Sequence, residues 1–440
     1  MYLKKFSVAN IRSVSNAELQ FETGQEPGWH VILGSNGAGK STLIKSFALV
    51  IMGEREAYAA RQDIESWLTV GEEFGKIEAH LSAEHGFDDY ASGGKPRQRP
   101  ITITLTLETD KKTGLIETKF GGSGHSRSVW GTGNGWFSAS FGPYRRFTGG
   151  DNRYDRLFVT NKRLAPHLTA LGEDVALTDA MSWLSSLYLQ TLQDEKQNNG
   201  SGIKHALFEA VTNFLNTSQF LPYEGKFFID GTTVKVLDGN GVSVPLDELS
   251  DGYRSAMSLV LELIRQMVEL YGAERLIGTM KEVPGTIQAP GVVLIDEIDV
   301  HLHPTWQRSI GQWLTRCFPR IQFLVTTHSP LICRAVASSN GELKGSIWKL
   351  PTPGSDNEFR RVQGTELDQL IYGDVLDAFS TELFGQNVTR SKEADRMLDR
   401  LAELNIQALS AGLSHEEEEE RTKLRRMFPE EAGDLEVLDA

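Results

Sequence analysis

The chain has 440 residues, a formal net charge of −14 and two cysteines. These values exclude a disulfide-stapled scaffold and a cysteine-based zinc set, and the excess of acid disfavours a protein that clamps DNA with its whole surface. No apolar run approaches the roughly 20 residues that a membrane span needs. We therefore expect a cytoplasmic protein without a membrane partner.

The N-terminal part of the sequence predicts strands around a glycine-rich loop. Residues 1–6 lack the apolar core of a signal peptide and are predicted to form an edge strand. Residues 29–33 are an apolar run typical of a buried strand, and residues 42–50 have a helical pattern. Between them, residues 34–41 read Gly-Ser-Asn-Gly-Ala-Gly-Lys-Ser, which fits the phosphate-loop pattern G-x-x-x-x-G-K-[ST] in its required setting.

This loop is predicted to bind the phosphates of a nucleotide. Its glycines let successive backbone N–H groups point at one anion, and the following helix N-terminus adds partial positive charge. We expect Lys40 to reach the β- and γ-phosphates and the Ser41 hydroxyl to bind Mg²⁺. An ordinary glycine-rich turn is the alternative. The other predicted nucleotide contacts in this segment are Asn36, Gly37, Gly39 and Thr42.

The middle of the chain changes from strand patterns to helical patterns. Residues 101–108 alternate between apolar and polar side chains, which predicts a strand, and residues 115–120 are its expected partner. Residues 151–220 then carry apolar residues at helical spacing. No run of several heptads is present there, so no long coiled-coil arm is expected.

Residues 249–255 read Leu-Ser-Asp-Gly-Tyr-Arg-Ser and precede an apolar-periodic helix. Ser250 or Asp251 fits a plain helix N-cap, and the same turn fits a second anion-binding helix start. One chain has little use for two such sites around one nucleotide. Two copies of the chain can use both sites, if the turn from Ser250 to Gly252 of one copy closes over the γ-phosphate bound by the other.

Two acidic residues follow a short apolar run at residues 292–295. Continuous apolar runs suit parallel strands buried on both faces, and ligand groups follow the carboxyl ends of such strands. Asp296 is therefore predicted to hold Mg²⁺ beside Ser41, and Glu297 to orient and deprotonate the attacking water. For two acids standing alone, a solvated loop is the alternative.

A third buried-strand pattern spans residues 321–327 and ends at His328. A histidine at this strand end would face the γ-phosphate, where its ring can hydrogen-bond a phosphate oxygen or the attacking water. We therefore predict a catalytic role for His328. A purely structural histidine is the alternative.

Four motifs follow one another along the chain: the phosphate loop, the Leu-Ser-x-Gly turn, the Asp-Glu strand and the Thr-His strand. This order resembles that of the ABC-type ATPase heads of the SMC/RecF class. Residues 294–304 (Leu-Ile-Asp-Glu-Ile-Asp-Val-His-Leu-His-Pro) and 326–330 (Thr-Thr-His-Ser-Pro) are particularly similar to OLD-type ATPases and to the PtuA subunits of Septu anti-phage systems. The resemblance implies an α/β fold: a P-loop NTPase head of the ABC type with a mixed central sheet, an antiparallel β subdomain, a helical insert and a helical C-terminal tail.

The resemblance also implies further site residues. Residues 10–13, Asn-Ile-Arg-Ser, resemble the SMC-class segment whose arginine touches the nucleotide phosphates, which implies this role for Arg12. The usual signature is Leu-Ser-Gly-Gly-Gln; here the third and fifth residues differ, while Ser250 and Gly252 remain as the expected contacts across a dimer. No convincing Q-loop glutamine is present after the strand that ends near residue 141, and Arg145 or Arg146 is expected near the nucleotide instead.

The motifs divide the chain into four predicted segments. They are an N-terminal ATPase lobe with the phosphate loop (1–150), a short helical insert (151–245), a C-terminal ATPase lobe with the signature, the Asp-Glu strand and the switch histidine (246–363), and a helical C-terminal region (364–440). The last segment contains five consecutive glutamates at residues 416–420, which are predicted to form a solvated helix face or a tail.

The resemblance implies a Mg²⁺-dependent ATPase that converts ATP and water to ADP and phosphate and works as a head-to-tail homodimer or higher homo-oligomer. OLD-type relatives carry a C-terminal Toprim nuclease, whose Asp-x-Asp strand end is not found beyond residue 340. We therefore expect a sensor and regulatory subunit of a prokaryotic anti-phage system with a separately encoded nuclease or toxin. The alternative is a RecF-like DNA repair or maintenance ATPase that binds nucleic acid directly; a transporter subunit fits the motifs less well.

Overall fold

In the computed structural model, the described residues are 1–60, 63–91, 100–131, 135–143, 163–172, 178–198, 202–219, 225–230, 233–237, 241–245, 248, 251–300, 302–338, 340–355, 357–373, 392–410 and 412–428. The chain divides into two compact units, Met1–Gly373 and Asp374–Ala440. All of the predicted site residues belong to the first unit. The four-segment division of the sequence stays a prediction.

The strands of the described residues belong to three sheets in the first unit. The strands are β1 (Tyr2–Ile11), β2 (Val14–Gln20), β3 (Gly28–Leu33), β4 (Phe74–Ser82), β5 (Ile101–Thr109), β6 (Ile116–Ser123), β7 (Ser138–Phe141), β8 (Lys226–Asp230), β9 (Thr233–Leu237), β10 (Ser243–Pro245), β11 (Gly291–Ile295), β12 (Ile321–Thr327), β13 (Gly345–Lys349) and β14 (Arg360–Arg361).

Helices flank these sheets and make up the described part of the second unit. The helices are α1 (Lys40–Met52), α2 (Glu54–Ala59), α3 (Thr178–Asn198), α4 (Ile203–Thr217), α5 (Asp251–Tyr271), α6 (Ala273–Glu282), α7 (Pro304–Cys317), α8 (Pro330–Cys333), α9 (Gly364–Tyr372), α10 (Lys392–Ser410) and α11 (His415–Met427). Of the helices in the described ranges, none combines the length and the apolar composition that crossing a bilayer requires.

The six-stranded sheet has the order β14-β13-β3-β12-β11-β7 and is mixed. All neighbouring pairs are parallel except β13 and β14. Every residue of β3, β11 and β12 is buried, as expected for parallel strands that are covered on both faces. The three apolar runs of the sequence are therefore central strands, and their carboxyl ends lie at one edge of the sheet.

The five-stranded sheet is antiparallel and has the order β2-β1-β4-β5-β6. Burial alternates along β4 and β5, so one face contacts the core and the other is partly open to solvent. The predicted pairing of residues 101–108 with residues 115–120 is confirmed, because Leu105 lies opposite Phe120 in the register of β5 and β6. The buried face shares a core with α1, in which Phe6 packs edge-on against Phe47.

The prediction that residues 1–6 form an edge strand is wrong. β1 lies between β2 and β4 and pairs with both. Its lysines, a residue type common on edge strands, are paired with carboxylates: Lys4 with Glu26, and Lys5 with Glu18. Since β4 begins far along the chain, the local sequence could not reveal this second neighbour.

The described part of the predicted helical insert contains α3 and α4, of 21 and 15 residues, beside the small antiparallel sheet β10-β9-β8. Phe214 of α4 packs against Phe318, which follows α7, with ring centroids 5.7 Å apart. The indole N–H of Trp313 donates to the carbonyl of Ser218 over 2.8 Å. These contacts pack the end of α4 against the end of α7.

In the second unit, α10 and α11 form a helical hairpin around Leu401, Leu404 and Leu424. A capping box begins α11: the Ser414 hydroxyl accepts from the Glu417 N–H, and the Glu417 carboxylate accepts from the Ser414 N–H. The five glutamates lie on α11 and are mostly exposed, as predicted. The two units together contain the elements of the predicted ABC-type architecture: a phosphate loop in a mixed sheet, an antiparallel sheet, a helical insert and a helical tail.

Candidate nucleotide site

The predicted phosphate loop connects β3 to α1, which begins at Lys40. Gly37 and Gly39 have φ angles of 80° and 99°, in the left-handed region that favours glycine. A Cβ atom on Gly39 would overlap the side chain of Val14 at the start of β2. Glycine at this position therefore permits both the loop conformation and the close contact between the antiparallel sheet and the loop.

Lys40 lies at the centre of the site and is only 5% exposed. Its ammonium group donates to the carbonyls of Gly34 and Ser35 over 2.8 and 3.1 Å, and to Nε2 of His328 over 2.6 Å. Burial lowers the pKa of Lys40, and the nearby carboxylates, Glu297 first among them, act in the opposite direction. The lysine is thus held over the loop in a partly desolvated position.

Asp296 and Glu297 follow β11 at the carboxyl edge of the mixed sheet. Asp296 is 1% exposed, whereas Glu297 is half-buried. Glu297 has a φ angle of 45°, which residues other than glycine rarely adopt. The Thr326 hydroxyl donates to Oδ1 of Asp296 over 2.5 Å and accepts from the Glu297 N–H over 2.8 Å. The two carboxylates therefore differ in solvent access although they are adjacent in sequence.

His328 follows β12, the strand that lies between β3 and β11. Its Nε2 atom accepts the hydrogen bond from Lys40 and lies 4.0 Å from Oε1 of Glu297. Burial, and then the charge of Lys40, lower the pKa of His328, which favours the neutral imidazole. The strand order thus brings the histidine between the loop lysine and the predicted base.

A second group of hydrogen bonds connects the loops that follow β11 and β12. Thr327 donates to Oδ1 of Asp299 over 2.6 Å and accepts from the N–H of Ser329 over 2.9 Å. Ser329 in turn donates to Oε1 of Gln307 over 2.7 Å. Hydrogen bonds therefore connect the segments that contain Glu297 and His328 beyond the end of the sheet.

Arg12 lies in the turn between β1 and β2 with a φ angle of 52°. Its guanidinium carbon is 3.9 Å from the ring centroid of Trp67, and the backbone N–H of Arg12 donates to the Trp67 carbonyl over 2.7 Å. Burial and then Arg12 lower the pKa of Lys45 on α1, while Asp296 raises it. Arg12 is thus within electrostatic reach of the helix that follows the phosphate loop, and its contact with a phosphate stays a prediction.

The signature turn leads into α5. Gly252 is half-buried in the first turn of this helix, and Tyr253 packs edge-on against Trp306 of α7 with ring centroids 5.1 Å apart. Three candidates from the sequence lie outside the described residues: Ser250, Arg145 and Arg146. The roles of these residues at the nucleotide stay predictions.

The residues predicted to hold Mg²⁺ offer the oxygen donors that this ion prefers. Ser41 is half-buried in the first turn of α1, beside the buried Thr42, and Asp296 is an almost fully buried carboxylate. Within the described ranges, no cluster of three or more His, Cys, Asp or Glu could hold a metal ion. A hydroxyl and a carboxylate fit an ion that also takes ligands from nucleotide phosphates. Asn36 and Gly37 are exposed at the tip of the loop.

Sequence reasoning assigned no role to Thr326, Trp67 or Lys45. For Thr326 a signal existed, because two threonines end a strand that is otherwise largely apolar. Trp67 gave no such signal, since its stacking on Arg12 joins residues separated by two strands and two helices.

Two family models match the chain. One, described as "AAA domain", matches residues 5–220, and the other, described as "AAA domain, putative AbiEii toxin, Type IV TA system", matches residues 165–334. Between them the two matched ranges include the phosphate loop, the Asp-Glu strand and His328.

Two curated relatives extend this result. Septu protein PtuA from Bacillus mycoides (strain KBAB4) is 26% identical over 368 residues, which cover 80% of this chain and 42% of that protein. Retron Vc95 probable ATPase from Vibrio cholerae serotype O1 biovar El Tor is 30% identical over 189 residues, which cover 41% of this chain and 34% of that protein. The chain is similar to Septu PtuA and to retron ATPases. It spans less than half the length of these relatives.

The resemblance predicted from the motifs is confirmed by these matches to PtuA and to a probable ATPase, and by a relative of the SMC class, structural maintenance of chromosomes protein 2-2 from Arabidopsis thaliana, which is 31% identical over 112 residues that cover 25% of this chain and 8% of that protein. Among solved structures, an SMC head bound to the C-winged helix domain of ScpA aligns with a TM-score of 0.46 and 14% identity. That alignment covers 83% of this chain and 99% of the SMC head chain.

Proposed function

We propose that the chain binds ATP with Mg²⁺ and hydrolyses it to ADP and phosphate. The observation that carries this proposal is the series of contacts from Lys40 through His328 to Glu297, at the edge where β3, β12 and β11 end. Adjacent lysine, histidine and glutamate side chains can bind phosphate, contact the γ-phosphate and activate the attacking water. The similarity to a probable ATPase of a retron supports the same activity.

Each residue has one role in the proposed reaction. Lys40 and the backbone N–H groups of the loop bind the phosphates, and Ser41 and Asp296 would hold Mg²⁺, which neutralises charge on the phosphates when bound. Glu297, the more accessible of the two carboxylates, accepts a proton from water as the water oxygen attacks the γ-phosphorus and ADP leaves. His328, with its lowered pKa, contacts the γ-phosphate.

We further propose that two copies associate head to tail, each completing the other's site with the turn from Ser250 to Gly252. Gly252 lies in the first turn of a helix of 21 residues, whose N-terminus favours an anion. Nucleotide then acts as the ligand that favours the associated state, and hydrolysis favours separation. The dimer interface is the switch in this proposal.

For the cellular role, we propose a regulatory subunit of an anti-phage system that controls a separately encoded nuclease or toxin. Similarity to Septu PtuA and to a retron ATPase supports this role. The net charge of −14 supports it over a RecF-like ATPase that clamps DNA, because binding to duplex phosphates depends on basic residues.

The first experiment compares Lys40→Ala with Lys111→Ala, an exposed lysine on the turn after β5. Equilibrium binding of labelled ATP should be lost in Lys40→Ala and unchanged in Lys111→Ala, because only the first removes a charge from the phosphate site. Undiminished ATP binding by Lys40→Ala would refute the assignment of the site.

The second experiment separates the two cellular roles. Affinity for duplex DNA is measured with and without ATP at physiological salt, and the chain is co-expressed with the product of the neighbouring open reading frame. The regulatory proposal predicts weak duplex binding and a stable complex with a nuclease or toxin. Tight, ATP-dependent duplex binding by the chain alone would favour the repair role.

A further inference from the structure

We infer that Thr326 is a positioning residue for the proposed ATPase reaction, because its hydroxyl holds both the metal-binding carboxylate and the backbone of the catalytic glutamate. This inference rests on the proposed function. It concerns a residue that touches neither nucleotide nor water in the proposed mechanism and acts through its two neighbours.

Thr326 lies near the end of β12 and is fully buried. Its hydroxyl makes two short hydrogen bonds to the adjacent strand end: it donates to Oδ1 of Asp296 over 2.5 Å and accepts from the N–H of Glu297 over 2.8 Å. The Thr326 carbonyl also accepts from the N–H of Ile298 over 3.1 Å. One threonine therefore contacts three consecutive residues just beyond β11.

The position of this hydroxyl matters because the backbone beyond β11 no longer follows the strand. The paired register of β11 and β12 ends with Ile295 opposite Val325. At Glu297 the chain turns with a φ angle of 45°, a conformation that is strained for residues other than glycine and persists only where neighbouring contacts impose it. The bond from the Glu297 N–H to the Thr326 hydroxyl is such a contact.

The same hydroxyl fixes the direction of the Asp296 carboxylate. This side chain is 1% exposed, so a carboxylate oxygen without a donor would be costly there. A donor at 2.5 Å holds one oxygen in place and thereby orients the group. The adjacent Thr327 has a different partner, Asp299, as expected for successive side chains that point to opposite faces of a strand. The two threonines are therefore not interchangeable.

The experiment compares Thr326→Val, which removes the hydroxyl at nearly constant volume, with Thr326→Ser, which retains it and removes the methyl group. The control is Thr279→Val in α6, a buried threonine whose hydroxyl bonds the Leu276 carbonyl within its own helix. Thermal unfolding of all variants is measured in parallel. Two readouts follow: the Mg²⁺ concentration needed for half-maximal nucleotide binding, and kcat and KM for ATP.

In Thr326→Val, we expect kcat to fall about 10–100-fold and the Mg²⁺ requirement to rise by a similar factor, as for other residues that orient a metal ligand. KM at saturating Mg²⁺ should change much less, because the phosphate loop is intact. Thr326→Ser should recover most of both losses, and Thr279→Val should behave as wild type in both.

Two results would overturn the inference. One is a Thr326→Val variant with wild-type kcat and Mg²⁺ requirement. The other is Thr326→Ser impaired as much as Thr326→Val, which would assign the effect to packing of the methyl group. If the wild-type chain itself shows no ATP turnover, the proposed function fails instead, and the Mg²⁺ dependence of nucleotide binding still tests Thr326 separately.

Discussion

The two large sheets of the first unit differ in where they carry polar side chains. In the mixed sheet, β3 and β11 are buried along their whole length, and the polar groups of the site follow the ends of the strands. In the antiparallel sheet, burial alternates along β4 and β5, and polar groups line one face. A strand covered on both faces can present polar groups to a ligand only at its ends, which is why the site lies at one edge.

The antiparallel sheet supports the site instead of forming it. Its turn between β1 and β2 brings Val14 against Gly39 of the phosphate loop and holds Arg12 over Trp67. The two sheets thus meet at the loop, so substitutions in each should have different consequences. The following variants test that difference, beginning with the largest expected effect.

Glu297→Gln should lower kcat about 10²–10⁴-fold, since it removes the proposed general base at the edge of the mixed sheet. Nucleotide binding should remain, because the phosphate loop and Asp296 are unchanged. Glu108→Gln, the same chemical change at an exposed position of β5, is the control and should leave turnover intact. Phosphate release and equilibrium ATP binding are measured on both. Wild-type turnover in Glu297→Gln would show that another group activates the water.

Gly39→Ala tests the contact between the sheets, and Gly24→Ala is its matched control. Both glycines have positive φ angles, 99° and 89°, but an added Cβ meets Val14 at Gly39 and nothing within 4 Å at Gly24. Gly39→Ala should therefore lower the free energy of unfolding by about 1–3 kcal/mol more than Gly24→Ala does, and should weaken ATP binding. If chemical denaturation shows the same loss of unfolding free energy for both variants, the close approach of Val14 to Gly39 does not affect stability.

Acid should destabilise the mixed sheet through two buried histidines. Burial lowers the pKa of His30 on β3 and of His167, which bonds Ser138 and Ser140 of β7, to about 3. Between pH 6.5 and 3 the unfolded chain binds a proton at each histidine that the folded chain does not bind. Stability should therefore fall with decreasing pH by about 1.4 kcal/mol per pH unit for each histidine.

His167→Gln removes one of these titrating groups, so its unfolding free energy should depend less steeply on pH than that of wild type in the same range. Urea denaturation at pH 7 and pH 5.5 measures the two slopes. Identical slopes would contradict the burial of a neutral His167.

The smallest expected effects on stability come from two reciprocal substitutions of similar volume, one in each sheet. Val293→Thr adds a hydroxyl inside the fully buried β11 and should cost about 1–3 kcal/mol of unfolding free energy if the hydroxyl lacks a partner. Thr106→Val on the partly open face of β5 should change stability by less than about 0.5 kcal/mol. Denaturant midpoints of the two variants measure the difference. Equal losses of unfolding free energy would contradict the difference in burial between the two sheets.

The sequence predicted the central features of the site because each depends on a local pattern. Lys40 lies within a contiguous motif, and Asp296, Glu297 and His328 each follow an apolar run. Since parallel strands share one carboxyl edge, predicting the strands was enough to predict that these residues lie close together.

What the sequence did not predict depends on pairs of residues that are distant along the chain. The neighbour of β1 on its second side is β4, so the edge-strand prediction was wrong. The two hydrogen bonds of Thr326 depend on the register between β11 and β12, and the stacking of Arg12 on Trp67 depends on a turn that a local pattern does not encode.

The edge-on packing of Tyr253 against Trp306 has a consequence for communication between copies. Trp306 lies in the first turn of α7, shortly after the loop that contains Glu297, and Tyr253 lies in the first turn of α5, the helix that contacts the neighbouring copy in the proposed dimer. In the proposed dimer, the end of α5 that contacts the neighbouring copy would also contact α7, so a displacement of that end would reach the segment beyond Glu297 through a single aromatic contact.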